Sequence, residues 1–184
     1  MSEIVGVTPQ HIHRFWFEEV SPESYFNSDA TLDRKIRKRF LEVYEVLKSR
    51  VPEDWRCDGQ ALLASIIVLD QFPRNMFRGQ VLAYATDSRA LALAREGISN
   101  RLDLDLTVPE RQFFYMPFQH SEDPHDQVES IRLNSELGPE VLSWAERHKA
   151  VIDRFGRFPA RNEALGREST EEELAFLEET PLGF

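Results

Sequence analysis

The chain has a single cysteine, Cys57, in 184 residues, so no intrachain disulfide can form and the composition suits a reducing compartment. Cys57 lies beside Trp55, Arg56 and Asp58, a setting that suits packing better than catalysis. Long hydrophobic runs are missing as well: the longest, Ala61 to Leu69, is far short of the ~20 residues that a membrane span requires. Basic excess is also absent, with 22 Lys and Arg against 32 Asp and Glu, a net charge of -10 and a pI near 5.0. A field of that sign repels nucleic acid and anionic membranes, and leaves room only for a local basic patch that binds a small anion. Glycine is sparse, 8 residues against 10 prolines, and no stretch reads as a flexible linker or a low-complexity tract. The opening "MSEIVGVTPQ" has no basic segment followed by an apolar one, so no signal peptide is read and a cytoplasmic protein is expected. Finally, no run alternates in the period of two that marks a strand.

Helical signals take their place. Between Asp29 and Arg50, Leu32, Ile36, Phe40, Val43 and Leu47 recur at steps of four and three, with acids at the start, bases at the end and Pro52 as the stop. Gln60 to Asp70 is almost wholly apolar and reads as a central, buried helix. Asp87 to Gly97 is amphipathic through Leu91, Ala94 and Ile98. Thr107 to Glu110 is a capping box that opens a helix carrying "RQFFYM". Pro124 opens another, with Val128 and Ile131 expected on its inner face, and Pro139 a third, with a stripe through Val141, Ala145, His148, Ile152 and Phe155 ended by Gly156. Ser169 and Thr170 cap a short acidic C-terminal helix. The expected fold is all-α, a single-domain multi-helix array over residues 1–184. No fixed-period internal repeat is found.

Two stretches echo each other: "DQFPRNMFRG" from Asp70 and "FGRFPARNEALGREST" from Phe155 share Phe-Pro, then Arg-Asn, then another Arg. In each, proline after phenylalanine presets the start of a helix and places Arg and Asn near the first turn. Unpaired backbone N–H groups there, with added guanidinium groups, suit phosphate or carboxylate. Two readings stand for Arg74, Arg78, Arg157, Arg161 and Arg167: they hold a ligand anion, or they pair with the protein's own carboxylates.

"FQHSEDPH" from Phe118 offers His120, Ser121, Glu122 and His125 in one inter-helix joint, a setting for proton transfer or simply for capping the helix at Pro124. His120, Glu122 and His125 lack the spacing of helical zinc motifs, so no metal site is assigned. His148 sits on an apolar stripe, either as a satisfied core histidine or aimed into the pocket of His120. His11 and His13 read as part of an amphipathic first helix with no role in a site.

"LLASIIVLDQFPRNMFRG", "FFYMPFQHSED" followed by Gln127, and "HKAVIDRFGRFPARNEALGREST", with the opening "RFWFEEV" and "YFNSDATLDRKIRKRF", closely resemble the bacterial domain-of-unknown-function family 924. The resemblance implies a tetratricopeptide-like α-α superhelix and no settled activity or cofactor. Its motif positions fall on Asp70, Gln71, Arg74, Asn75, Arg78, His120, Ser121, Glu122, His148, Arg157, Arg161, Asn162 and Arg167. One departure stands out: Ala160 occupies the place where the family pattern usually has histidine. The expected function is binding of a small anionic metabolite, with His120, Glu122 and His148 as candidate proton carriers and Asp70, Gln71, Arg74, Asn75, Arg78, Ser121, Arg157, Arg161, Asn162 and Arg167 as candidate binding residues. The alternative is a protein-interaction module whose groove, lined by Phe113, Phe114 and Tyr115, receives a peptide partner. Neither nucleic acid nor membrane is expected as a partner.

Overall fold

A computed structural model describes residue 4 and residues 6–25 and 27–180. These are helical and joined by short turns; the β-type pairing among them is an isolated bridge between Ile4 and Val7. The first helix, α1 (Pro9–Arg14), runs on through a π turn, Phe15–Glu19. The second, α2 (Ala30–Ser49), is capped by the Asp29 carboxylate on the N–H groups of Thr31 and Leu32, and buries the stripe from Leu32 to Leu47 that its sequence spacing foretells.

The central helix, α3 (Gly59–Ile66), is capped by Asp58 and packs against α1 and two later helices. It does not stop before Phe72-Pro73, as the sequence leads one to expect. A π turn, Ile67–Gln71, carries it without a break into α4 (Phe72–Met76). Pro73 has no N–H to offer the turn below it. The Leu69 carbonyl instead accepts the Thr86 hydroxyl at 2.5 Å, and the Asp70 carbonyl accepts Arg74 Nη1 at 2.6 Å. The irregular backbone thus takes its hydrogen bonds from side chains, and Asp70 and Gln71 are held in the interior.

Helix α5 (Asp87–Ser99) approaches α3 and α6 (Val108–Gln119) so closely at Gly97 that a Cβ there would lie 2.4 Å from the Phe114 ring and 2.6 Å from Leu62. The Thr107–Glu110 capping box forms, with Glu110 Oε2 accepting the Thr107 N–H at 2.7 Å. In α7 (Pro124–Asn134) the inner face differs from expectation: Val128 is 58% exposed, while Asp126, Gln127, Ser130, Leu133 and Asn134 are buried. Helix α8 (Pro139–Phe155) ends at Gly156, which adopts the left-handed conformation with φ 68° that favours glycine. A 3₁₀ turn, Pro159–Arg161, then leads to α9 (Asn162–Leu165) and the capped α10 (Glu171–Glu179).

One hydrophobic cluster runs from Ile4 to Leu137, and a small second one joins Val151, Ile152 and Phe158 with Phe155 and Phe176. Phe114 and Tyr115 are wholly inside the first cluster and Phe113 is 2% exposed, so the trio belongs to the core, with Phe113 also bordering a surface cleft. Among the described residues no helix is long and apolar enough to cross a membrane.

Candidate functional site

A cleft of about 310 Å³ opens where α4, the 3₁₀ turn Val81–Tyr84, the C-terminal end of α6, α8 and the turn Pro159–Arg161 converge. Segments far apart in sequence bring Gln71, Arg74, Asn75, Arg78, His120, His148 and Arg161 to its walls, and Ala160 borders it as well. The two Phe-Pro echoes therefore face each other across one space. Among the described residues the lining holds three arginines, two histidines and five amides, and not one carboxylate.

Asp70 is fully buried behind this wall. Its Oδ1 lies 2.9 Å from His120 Nδ1, its Oδ2 accepts Gln71 Nε2 at 2.6 Å, and Arg74 stands 3.5 Å away. Burial alone would raise its pKa, but His120 and Arg74 outweigh burial and hold the carboxyl well below the usual range. An ionised Asp70 can only accept, so the proton sits on His120 Nδ1 and Nε2 keeps its lone pair. Burial, reinforced by Arg74, lowers the His120 pKa against the opposing pull of Asp70. The imidazole is therefore neutral at pH 7 and fixed in one tautomer. Gln127 steadies the same joint: its Nε2 donates to the carbonyls of Gln119 at 2.9 Å and Ser121 at 2.7 Å, the free end of α6. His148 donates from Nδ1 to the Trp144 carbonyl at 2.8 Å, and its ring centroid is 6.1 Å from that of His120. Burial, and then the neighbouring His120, push it down to about 4.

The arginines divide cleanly. Arg74 makes two bonds to Asp87, at 2.8 and 2.9 Å, and burial is outweighed by Asp70 and Asp87, which raise its pKa. Arg78 and Asn75 share Asp33, with contacts of 2.8 to 2.9 Å. Arg167 grips Glu122 through Nη1 at 2.8 Å and Nη2 at 3.0 Å, while Arg157 grips Glu173 at 2.6 and 2.8 Å. Arg161 is the exception. Its nearest carboxylate contact is 3.5 Å, to the Asp87 oxygen already bonded to Arg74. Its guanidinium lies between two rings, 4.9 Å from Tyr84 and 4.4 Å from Phe158. Burial, and then Arg74, lower its pKa to about 10. It is a rigid, half-paired cation on the cleft wall.

Not every expected residue arrives there. Glu122 does not line the cleft; besides Arg167 it accepts the Phe158 N–H at 2.8 Å, which ties the second echo to the α6–α7 joint. Burial raises its pKa, but Arg167 and that N–H outweigh burial and leave the carboxyl lowered. Ser121 donates to Asp126 at 2.7 Å, and Asn162 donates to Ser169 at 3.0 Å and to Glu173 at 3.3 Å. With Arg157 and Arg167 they build the frame behind the wall. Residues that sequence reasoning passed over are Asp87, Tyr84, Tyr25 and Trp144. Asp87 is read only as the start of an amphipathic helix and the three aromatics fall on no motif position, so no local signal marks them.

Cys57 is exposed and outside the cleft, its thiol raised by burial and by Asp58. Among the described residues no group of three or more His, Cys, Asp or Glu side chains is placed to hold a metal ion.

The family model for a bacterial protein of unknown function, DUF924, matches residues 12–181. The chain belongs to the DUF924 family. The solved structure of a protein of unknown function from Agrobacterium tumefaciens is similar to this DUF924 chain at 40% sequence identity and a TM-score of 0.88, covering 93% of this chain and 97% of that one. No curated protein matches it. The cleft described above thus lies on a DUF924 fold, with Ala160 at its exposed rim.

Proposed function

We propose that the cleft binds a small anionic metabolite through a phosphate or carboxylate group, with Arg161 as the principal anchor. The observation that carries this reading is the lining itself. In a chain with 32 acidic and 22 basic side chains, three arginines and two histidines meet in one concavity without a carboxylate among its described lining residues. Arg161 adds the decisive detail, because an anion entering the cleft would complete the pairing that Asp87 leaves unfinished. Its seat between Tyr84 and Phe158 means that little side-chain entropy is lost on binding. His120, neutral and oriented by Asp70, would take a proton from such a ligand at Nε2, and His148 stands next to it.

The test is a thermal-shift screen of phosphorylated and carboxylated metabolites on the wild type and on Arg161→Ala. A ligand at about 100 times its Kd stabilises by about 2.7 kcal/mol, which for a domain of this size is roughly 5–10 °C. The expected result is a shift in the wild type that Arg161→Ala abolishes. A panel without any shift, together with an Arg161→Ala variant that melts several degrees lower, would make Arg161 a structural residue and overturn the reading.

A further inference from the structure

We infer that the ligand is two-ended: an acidic head in the arginine-lined cleft, and an apolar body, neutral or positively charged, in a second cleft that continues from it. The inference rests on the anion-binding reading and extends it to the class of molecule. The second cleft, of about 800 Å³, shares Tyr25, Gln112 and Trp144 with the first, so the two clefts adjoin at a threshold of these three side chains. Past the threshold the chemistry reverses. Phe17, Phe113 and Val141 supply an apolar wall, and among the described residues no arginine or lysine lines the space. The carboxylates there are Glu23, Glu110 and Glu140. Glu110 is occupied by His13 at 2.6 Å and by Thr107, which leaves Glu23 and Glu140 as exposed negative charges at the rim.

The polarity has a direct consequence. An anionic head is drawn to Arg161 and kept out of the far chamber by like charge, which fixes which way round the molecule lies. A second anionic group at the other end would meet Glu23 and Glu140, so a symmetrical dianion is disfavoured. An aromatic or aliphatic body gains by leaving water against Phe17, Phe113 and Val141. The aromatic threshold residues, Tyr25 and Trp144, suit a flat segment passing between the chambers.

Calorimetric titration of the full chain with three probes tests this: inorganic phosphate, phenethyl phosphate and 1,6-hexanediol bisphosphate. Phenethyl phosphate is expected to bind about tenfold or more tightly than phosphate, from the area its ring removes from water. The bisphosphate is expected to gain nothing over phosphate. Val141→Trp, which intrudes on the second chamber from a half-buried position on its apolar wall, is expected to reduce the gain of phenethyl phosphate and leave phosphate unchanged. Equal affinity for phosphate and phenethyl phosphate would overturn the two-ended ligand while leaving the anion site standing, and so would a bisphosphate that binds best. Failure of every probe to bind would sink both.

Discussion

His148 shows what a single side chain contributes and how it can be measured. It packs 5.9 Å from Phe158 and 6.1 Å from His120, with Arg161 and Arg74 near enough to oppose a further positive charge. Its pKa is pushed down to about 4 by burial and then by His120. The unfolded chain, with an ordinary histidine near 6.5, therefore takes up a proton first as the pH falls. Stability should drop from about pH 6.5 and finish dropping near pH 4, by roughly 3 kcal/mol at most. His120 is lowered too and acts in the same direction, whereas Asp70, also lowered, loses its contribution only in stronger acid. Denaturant unfolding of the wild type and His148→Gln at pH 7, 5.5 and 4 measures this. The variant should lose much of the slope; an unchanged slope would mean that His148 is protonated in the folded state. Sequence spacing puts His148 on an apolar stripe and leaves open whether it is a core histidine or faces the pocket of His120; its ring lies 6.1 Å from that of His120 and borders the cleft. Spacing does not reveal which arginine is left without a close carboxylate partner. Arg167 finds Glu122 at a separation of 45 residues and Arg157 finds Glu173 at 16, so the partners that separate frame from cleft wall are set by packing alone.

The continuous run from Gly59 to Met76 is the element on which the site depends. A π turn inserts one extra residue and rotates the helix beyond it, and such turns recur at functional sites. Here it keeps Asp70 and Gln71 inside while turning Arg74 and Asn75 toward the cleft. Pro73 removes the N–H that would reach the Leu69 carbonyl, which accepts the Thr86 hydroxyl, while the Asp70 carbonyl accepts Arg74 Nη1. Thr86→Val removes the hydroxyl at a position only 3% exposed and leaves the Leu69 carbonyl unsatisfied. The expected cost is about 1–3 kcal/mol, read as a lower thermal midpoint, with Thr86→Ser retaining most of the stability. If Thr86→Val unfolds like the wild type, the carbonyl has another partner and Thr86 does not sustain the π turn. In the sequence Phe72-Pro73 reads as a helix start because proline usually marks one. The tolerance of Pro73 within a helix comes from Thr86, 17 residues from Leu69, and no local rule detects it. Helices α2 and α8 are legible because a start signal, an apolar period and a stop agree at each, and α6 because its capping box marks the start. The inner face of α7 is not: it buries Gln127 and Asn134 for hydrogen bonding and leaves Val128 to solvent, against the usual sorting of apolar from polar.

The chain as a body has two unequal parts with the cleft between them. Most of the apolar interior is one cluster, whereas Val151, Ile152 and Phe158 form a small core of their own with Phe155 and Phe176. The C-terminal hook, the turn Pro159–Arg161 with α9 and α10, is held by that small core, by Arg157–Glu173 and by Arg167–Glu122. Arg161 rides on the hook, while Arg74, bonded to Asp87, belongs to the main part. An anion that bridges Arg74 and Arg161 would therefore clasp the two together. Amides of α10 should exchange with deuterium faster than those of α3, since a small core supports a lower local stability. Addition of a bound anion should slow exchange in α10 and in the turn Pro159–Arg161 more than in α3, because ligand binding selects the state in which the hook is docked. Glu173→Gln weakens the Arg157 pair and the Asn162 contact without touching the cleft lining. It should speed exchange in the hook and weaken anion binding together, with the protection of α3 unchanged. If Glu173→Gln loosens the hook yet leaves anion affinity intact, Arg161 does not need the hook's docking to bind, and the clasp is not how the two parts are joined.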